Sequence, residues 1–198
     1  MKSCFYYWGP LLFKTKIDSE DLIKINKLCK KDKTKDARKS LAGHLDHEYH
    51  IEKEKLFEIL VKYFDIYKSF YYEWYRRNLS SVEITASWVN YMKSGDYNPP
   101  HVHLECDLSS VIYLKVPNVL KKEHDSYIGS IDKGGPAGIS FYHGEYRSLS
   151  IDQVNLFPEE GDFFVFPSFL RHSVSPFKSD VERISVAANF NITTDQLP

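Results

Sequence analysis

Two distant stretches of the chain carry residues that could bind a metal ion. In the segment 98–105, His101, His103 and Glu105 occupy alternate positions. Successive side chains of a β-strand point to opposite faces, so all three would project to one side. His172 follows an apolar run far along the chain and would supply a ligand from another strand. The pattern predicts a mononuclear metal centre with three histidine ligands. Glu105 is the alternative ligand, or an acceptor that orients an imidazole.

The last predicted strand, residues 183–191, alternates polar or small residues with apolar ones. One face would therefore line a polar cavity while the other packs against apolar surroundings. A guanidinium on a cavity-lining strand is costly unless it is paired, and a bound carboxylate is its best bidentate partner. Arg183, with Ser185 two residues on, is thus a candidate carboxylate site. The alternative is an ion pair of Arg183 with Asp180 or Glu182.

The spacing of apolar residues along the chain predicts the helices and strands that position these residues. Two short strands are predicted around Gly9-Pro10 within residues 4–17, then a helix from Glu20 capped by Asp18-Ser19, and an amphipathic helix over residues 54–77. Six short strands follow, at residues 82–92, 100–106, 109–116, 138–142, 162–167 and 183–191. This order predicts a mainly β fold with supporting helices, built on a double-sheet jelly roll. We expect a single domain, with the supporting elements in residues 1–80 and the jelly roll in residues 81–198.

Two polar segments have a less specific pattern. Residues 121–136 are polar and end in Gly134-Gly135-Pro136, which predicts a mobile lid or substrate loop. Residues 43–50 hold several His and acidic residues, which we interpret as a polar loop entering the long helix rather than as a second metal site. The remaining histidines, His44, His124 and His143, are predicted to lie on the surface or in loops.

Composition excludes several classes of protein. The chain has 26 basic and 27 acidic residues among 198, which argues against a general electrostatic nucleic-acid binder. Its three cysteines are widely spaced and form neither a disulfide framework nor a Cys-x-x-Cys pattern. No signal peptide and no apolar run of membrane-spanning length is present. We therefore expect a cytoplasmic protein.

The motifs together resemble the Fe(II)- and 2-oxoglutarate-dependent oxygenases, and more closely the small oxygenases common in phages. The resemblance covers roughly residues 82 to 191. It is carried by Ser87-Trp88-Val89-Asn90-Tyr91 with residues 95–103, by residues 108–117, by Phe166-Pro167-Ser168 with residues 172–176, and by Glu182-Arg183-Ile184-Ser185. If such a protein is encoded by a phage, it would act in the cytoplasm of the host.

The resemblance implies a role for each matching residue. His101 and His172 match the iron-binding histidines, and Arg183, with Ser185 beside it, matches the arginine that holds the distal carboxylate of 2-oxoglutarate. Tyr113 and, less closely, Tyr91 match tyrosines that contact this cosubstrate in prolyl-hydroxylase-like members. The alternative role for both tyrosines is aromatic core filling.

The activity implied is that of a dioxygenase using Fe(II), 2-oxoglutarate and O2. Oxidative decarboxylation of 2-oxoglutarate would be coupled to hydroxylation of a C–H bond in an unidentified substrate. The prolyl-hydroxylase resemblance suggests a peptidyl residue, and a small metabolite or a nucleobase is the alternative. A homodimer formed through the helices or N-terminal strands is compatible with the sequence.

One departure from the superfamily concerns the metal ligands. The usual set is two histidines and one carboxylate, whereas this sequence has His103 at the carboxylate position. Three neutral imidazoles leave the metal's charge at about +2 where a carboxylate would reduce it, which should weaken iron binding. The phage-type group also has His-x-His, so we interpret His103 as a ligand.

Two functions of other classes remain as alternatives. A cupin-like metalloprotein would hold Zn(II), Mn(II) or Ni(II) with the same histidines, but it has no special use for Arg183-x-Ser185. A non-catalytic jelly-roll binding protein would bind no stoichiometric metal. Fold alone does not separate them, because jelly rolls host all three classes.

Overall fold

The computed structural model describes residues 9–129, 134–145, 147–148 and 150–195. Within these ranges the strands are β1 (Phe13–Lys16), β2 (Glu48–His50), β3 (Leu79–Met92), β4 (Asn98–His101), β5 (Leu108–Lys115), β6 (Ile139–Tyr142), β7 (Gln153–Leu156), β8 (Asp162–Pro167), β9 (Arg171–Val174) and β10 (Arg183–Thr194). The α-helices are α1 (Ser19–Leu28), α2 (Lys53–Tyr75) and α3 (Asn118–Asp125).

The strands form two antiparallel sheets. The larger sheet has the order β1-β8-β5-β10-β3-β2, and the smaller has the order β4-β9-β6-β7. Apart from the pairs β2–β3 and β6–β7, strands that are adjacent in a sheet are distant in sequence, as in a jelly roll. This arrangement confirms the predicted mainly β fold with supporting helices. Strands β1 and β2 from the N-terminal part of the chain extend the larger sheet by pairing with β8 and β3.

Helix α2 packs along the outer face of the larger sheet. Its apolar residues at helical spacing, including Leu60 and Phe64, are buried against the even-numbered side chains of β10. The rings of Phe64 and Phe190 lie with their centroids 4.7 Å apart and their planes inclined by 61°, a favourable aromatic geometry. Burial of each such side chain stabilises the fold by about 1.5–3 kcal/mol. The helix thereby fixes the outer face of β10 and leaves its odd-numbered residues directed inward.

A second core closes the space between the two sheets. It contains Val111, Phe164 and Phe166 from the larger sheet and Ile139 and Phe141 from the smaller one. Phe141 and Phe166 meet at ring centroids 5.0 Å apart. This apolar layer includes Val174 of β9, and its Phe166 ring packs against that of His172 on the same strand.

Element boundaries differ from the prediction in a few places. The strand predicted over residues 100–106 ends at His101. Asp18 precedes α1, but its side chain makes no capping hydrogen bond and accepts one from Lys62 instead. Residues 121–125 of the predicted lid belong to α3, while its residues 130–133, like the predicted strand start at Cys4, lie outside the described residues.

None of the α-helices in the described ranges has the length and apolar character needed to cross a bilayer.

Candidate active site

Three histidines, carried by β4, by the segment after it and by β9, converge in the structure. His101 is the last residue of β4 and pairs in register with His172 of β9. His103 lies just beyond β4, where its backbone N–H donates to the carbonyl of Ser168 at 3.0 Å. The Nε2 atoms of His103 and His172 are 3.3 Å apart, and one ring nitrogen from each of the three histidines lies within 4.8 Å of the others. Among the described residues, no other His, Cys, Asp or Glu group converges in this way.

Hydrogen bonds to backbone carbonyls fix two of the imidazole rings. His101 Nδ1 lies 2.7 Å from the carbonyl oxygen of Pro99, and His172 Nδ1 lies 2.9 Å from that of Leu170. Since a carbonyl only accepts, each Nδ1 carries the proton and each Nε2 keeps its lone pair. The lone pairs are therefore available for a metal ion, a donor set that suits iron and other first-row divalent metals.

Burial keeps these imidazoles neutral. Desolvation, with the neighbouring His101 next, lowers the pKa of His103 to about 4 and that of His172 to about 3. Desolvation also lowers the pKa of His101. Metal ligation requires the neutral form of histidine, so the site holds its ligands in the binding form at neutral pH.

Glu105 does not join the histidines. It is exposed, and its backbone φ of 59° lies in the left-handed region. The strand alternation that would have aligned it with His101 ends before it is reached, because β4 stops at His101. The structure therefore brings together the three predicted histidines and leaves the alternative ligand outside the group.

A buried arginine lies in the cavity that the histidines border. Arg183 is 3% exposed and donates from Nη1 to the carbonyl of Ala137 at 2.9 Å. Its Nε has no hydrogen-bond partner within the described part of the chain. The alternative ion pair is not formed, since Glu182 instead pairs with Lys31 and no described carboxylate pairs with Arg183. Desolvation lowers the pKa of Arg183.

This arginine is an incomplete anion site. A buried guanidinium with an open N–H is costly until an acceptor satisfies it, and a carboxylate is the acceptor with the matching geometry. The chain's own residues therefore fit a ligand that carries a carboxylate at one end and reaches the histidines at the other.

The inner face of the larger sheet adds a row of polar groups beside Arg183. Ser185 on β10 pairs in register with Tyr113 on β5 and with Asn90 on β3. The hydroxyl of Tyr113 and the Oδ1 of Asn90 are buried without hydrogen-bond partners among the described residues. The Tyr113 ring lies 5.4 Å from Arg183 Cζ. All four side chains line the inner cavity, as do the three histidines.

Tyr91 lies on the other side of β3, so the structure corrects its predicted contact with the cosubstrate. Its ring packs in the outer core near Tyr49, and the ammonium of Lys31 lies 4.6 Å from the ring centroid. Because residues alternate along β3, Asn90 and not Tyr91 faces the cavity. In the sequence, strand alternation is the signal that identifies Asn90 as a cavity residue, because Asn90 lies two residues after Trp88 and so shares its face.

Two of the remaining histidines contact groups away from the three converging ones. His44 stacks on Tyr97, with centroids 4.6 Å apart, and His124 hydrogen-bonds the carbonyl of Pro136.

Glu48 is a residue of this region that the sequence did not identify. It lies on the short edge strand β2, in register with Asn90. It lines an outer cavity of about 430 Å³ that is bordered also by His101, His103 and Trp88. The carboxyl is buried, and its Oε2 has no hydrogen-bond partner among the described residues.

We expect Glu48 to make stability depend on pH. Desolvation raises the pKa of Glu48 from 4.5 to about 7. Between these pH values the folded chain holds a proton that the unfolded chain has lost, so the free energy of unfolding falls as pH rises from about 4.5 to 7. At pH 8 the free energy of unfolding of Glu48→Gln should exceed that of the native chain by up to about 3 kcal/mol, since each pKa unit corresponds to about 1.4 kcal/mol.

Urea unfolding of the metal-free protein at pH 5 and pH 8 measures this difference. Asp46→Asn, which removes an exposed carboxylate two residues away, should keep the native pH dependence. Parallel stability curves for the native chain and Glu48→Gln would contradict the expectation.

A family model described as "Putative 2OG-Fe(II) oxygenase", where 2OG is 2-oxoglutarate, matches residues 86–189. No curated protein matches the chain.

Several solved structures share the fold. One is an oxidoreductase of the 2OG-Fe(II) oxygenase family from Burkholderia pseudomallei, with 14% identity, a TM-score of 0.58, and 92% of this chain and 84% of the other covered. A Pseudomonas putida prolyl-4-hydroxylase has 13% identity, a TM-score of 0.58 and 91% coverage of both chains. A viral collagen prolyl hydroxylase from Paramecium Bursaria Chlorella virus-1, as its 2OG complex, has 14% identity, a TM-score of 0.53, and 90% and 94% coverage. The likeness confirms the predicted jelly-roll core, which is the double-stranded β-helix fold of these oxygenases.

Proposed function

Because the chain belongs to the 2OG-Fe(II) oxygenases, we propose that its iron is held by His101, His103 and His172 and that Arg183 binds the distal carboxylate of 2-oxoglutarate. The chain is thus a 2-oxoglutarate-dependent Fe(II) dioxygenase, as its motifs indicated, and its cofactors are Fe(II), 2-oxoglutarate and O2. The assignment of residues to these groups is the proposal.

One observation carries the proposal. The inner cavity is bordered by the three histidines and also by the buried Arg183, whose Nε has no partner among the described residues. A metal site alone would not require a buried guanidinium, whereas a chelating dicarboxylate requires a cation for its far end. The open hydroxyl of Tyr113, in the same cavity, gives that carboxylate a second donor.

When bound, Fe(II) and 2-oxoglutarate supply the activation of O2 that couples 2-oxoglutarate decarboxylation to oxidation of a substrate C–H bond. The chain's own residues position the reactants and limit water. The carbonyls of Pro99 and Leu170 hold two ligand rings in the binding tautomer. Phe166 and Phe141 pack at 4.8 Å and 6.0 Å from the His172 ring, centroid to centroid, and shield it from bulk solvent.

The charges of the site also suit this ligand. Three neutral imidazoles leave a divalent ion uncompensated, as expected from His103 at the carboxylate position. The two carboxylates of 2-oxoglutarate would offset the charges of the metal and Arg183. A cupin-like metalloprotein offers no such role for Arg183, and a non-catalytic binding protein offers none for the converging Nε2 atoms.

The substrate is proposed to be a peptidyl residue that is hydroxylated at carbon. The motif resemblance to prolyl-hydroxylase-like members supports it, as do two fold relatives that are named as prolyl hydroxylases. We further propose that the enzyme acts in the cytoplasm, in line with the cysteine spacing, and the homodimer stays a prediction.

Substrate-independent turnover tests the function without knowledge of the substrate. The iron-loaded protein in air should convert 2-oxoglutarate slowly to succinate and carbon dioxide, at a rate that requires both iron and O2. The His44→Ala variant is the control and should keep this turnover, because His44 lies outside the converging histidines. Absence of succinate from iron-loaded protein, with 2-oxoglutarate bound, would argue against an active oxygenase.

We expect Tyr113→Phe to raise the KM for 2-oxoglutarate by about tenfold while kcat changes little. The hydroxyl has no partner among the described residues, and a hydrogen bond to a charged group is worth about 1.5–3 kcal/mol. The matched control is Tyr67→Phe, which removes another buried hydroxyl without a described partner, but from the α2 core. Steady-state succinate formation measures both variants. An unchanged KM in Tyr113→Phe would remove Tyr113 from the cosubstrate site.

A further inference from the structure

The outer cavity differs from the inner one in the charges of its lining. Glu48 and Glu105 are its acidic residues, and no Lys or Arg within the described ranges lines it. The inner cavity, in contrast, contains Arg183. Both cavities are bordered by His101 and His103, so a molecule in the outer cavity would lie beside two of the proposed metal ligands.

Glu48 is built into this cavity without a partner. It is 1% exposed, its Oε2 makes no hydrogen bond, and no ion pair involves it within the described part of the chain. The basic residue that influences it most, Arg38, is occupied by Asp36, to which it donates from Nε at 3.0 Å and Nη2 at 2.7 Å. A buried carboxyl in this state is unfavourable until a donor or cation reaches it.

Gly43 allows the carboxyl to adopt this position. A Cβ atom at residue 43 would lie 2.7 Å from Glu48 Oε1, closer than non-bonded atoms approach. The Glu48 side chain therefore lies directly against the glycine backbone, and its place in the cavity depends on the missing side chain.

An aromatic ring completes the lining. Trp88 lies on the cavity face of β3, its register partner on β2 is His50, and its ring centroid is 5.8 Å from that of His103. The indole face is the strongest of the aromatic partners for a cation. The cavity thus offers a buried carboxylate, an indole and a second carboxylate from Glu105.

We propose that the outer cavity binds the primary substrate through a positively charged nitrogen group, an ammonium or guanidinium, that pairs with Glu48. The inference rests on the proposed function, because it takes the histidine side of the cavity as the place of reaction. The substrate class is then a peptide with a lysyl or arginyl residue, or a free amine with the same group. Hydroxylation would occur at a carbon near that cation.

Binding of defined probes tests the proposal. The protein is loaded with Mn(II) and 2-oxoglutarate without oxygen, and calorimetry measures the probes in turn. They are blocked Gly-Lys-Gly and Gly-Arg-Gly peptides, their neutral norleucine and citrulline counterparts, and butylammonium ion. We expect the cationic peptides to bind at least tenfold more tightly than the neutral ones, because the neutral peptides lack the charge that pairs with the buried Glu48. Binding of butylammonium alone would assign the site to a free amine and also support the proposal.

Three variants test whether Glu48, and not its surroundings, binds the cation. Glu48→Gln, which keeps the shape of the side chain, should weaken the cationic probe at least tenfold and leave 2-oxoglutarate binding within about twofold. In Gly43→Ala the new Cβ would meet Glu48 Oε1 and Leu45 Cδ1 at 2.7 Å each, so the carboxyl must shift and binding of the same probe should weaken. Asp46→Asn removes a nearby exposed charge and should weaken neither ligand. Thermal unfolding of each variant shows that the fold is retained.

Different results would overturn the role of Glu48 and the proposed oxygenase function. Equal binding of cationic and neutral probes, or no probe binding while 2-oxoglutarate binds, would overturn the role of Glu48 and leave the oxygenase assignment standing. Unchanged cation binding in Glu48→Gln would overturn it as well. Failure of the native protein to bind 2-oxoglutarate would overturn the proposed function and the inference with it.

Discussion

Replacing His172 by Ala should abolish stoichiometric Fe(II) binding. His172 supplies one of the converging ring nitrogens, and its lone pair is directed by the hydrogen bond from Nδ1 to Leu170. Loss of a partner outside the ligand set already costs about 10- to 100-fold in metal affinity. Loss of a ligand from a set of three neutral donors should therefore raise the Kd for Fe(II) by more than about 100-fold.

Anaerobic equilibrium dialysis with iron analysis measures this effect. His103→Ala should behave as His172→Ala does, whereas Glu105→Gln should keep the metal, since Glu105 is exposed and outside the group. His44→Ala provides the control for removal of an unrelated imidazole. Normal iron content in His172→Ala, or loss of iron in Glu105→Gln with retention in His103→Ala, would show that the ligands are assigned wrongly.

Replacing Arg183 by Ala should leave the metal in place and weaken the binding of 2-oxoglutarate. Truncating one partner of a buried charged pair costs about 2–5 kcal/mol, and about 1.4 kcal/mol is tenfold in affinity. We therefore expect the Kd for 2-oxoglutarate to rise at least about 30-fold. Arg183→Lys should recover only part of the loss, because an ammonium lacks the planar pair of N–H donors.

Calorimetric titration of the Mn(II)-loaded variants with 2-oxoglutarate measures the change. Arg171→Ala, at an exposed position on β9, is the matched control and should bind as the native protein does. A second control ligand is pyruvate, which has the keto acid of 2-oxoglutarate without the distal carboxylate and should bind Arg183→Ala and the native chain alike. Equal loss of both ligands in Arg183→Ala would mean that the arginine supports the fold and not the distal carboxylate.

The parts of the site that lie on regular alternation were predictable from sequence. The polar face of β10 with Arg183 and Ser185 follows from the period of two in strands. His103 converges with His101 as predicted, although it lies just beyond the end of β4. In the structure, Arg183 and Ser185 line the inner cavity while Val186 and Phe190 pack against α2. The pattern was informative because each residue type fits only one face.

Other parts could not be predicted because their elements are short. Strand β2 has three residues and β9 has four, which is too few for a hydrophobic period to emerge. Glu48 therefore appeared as one acid in a polar loop. Its burial depends on the pairing of β2 with β3 and on the absence of a side chain at Gly43, both of which are tertiary features.

Tyr91 shows the limit of matching a residue type to a family pattern. The type was suitable, but its neighbour Asn90 faces the cavity, and one residue along a strand changes the face. Glu105 failed for the related reason that the strand ends at His101. Where a strand ends is decided by contacts with other elements, whereas alternation along β3 already separates Asn90 from Tyr91.

An anaerobic titration of the Fe(II)-loaded protein with 2-oxoglutarate, followed by visible absorption, tests the proposed site most directly. We predict a saturable metal-to-ketoacid charge-transfer band with one 2-oxoglutarate per iron. The band should be absent in His172→Ala and should require a much higher 2-oxoglutarate concentration in Arg183→Ala. Iron bound by the native protein without such a band, or an unchanged band in His172→Ala, would contradict it.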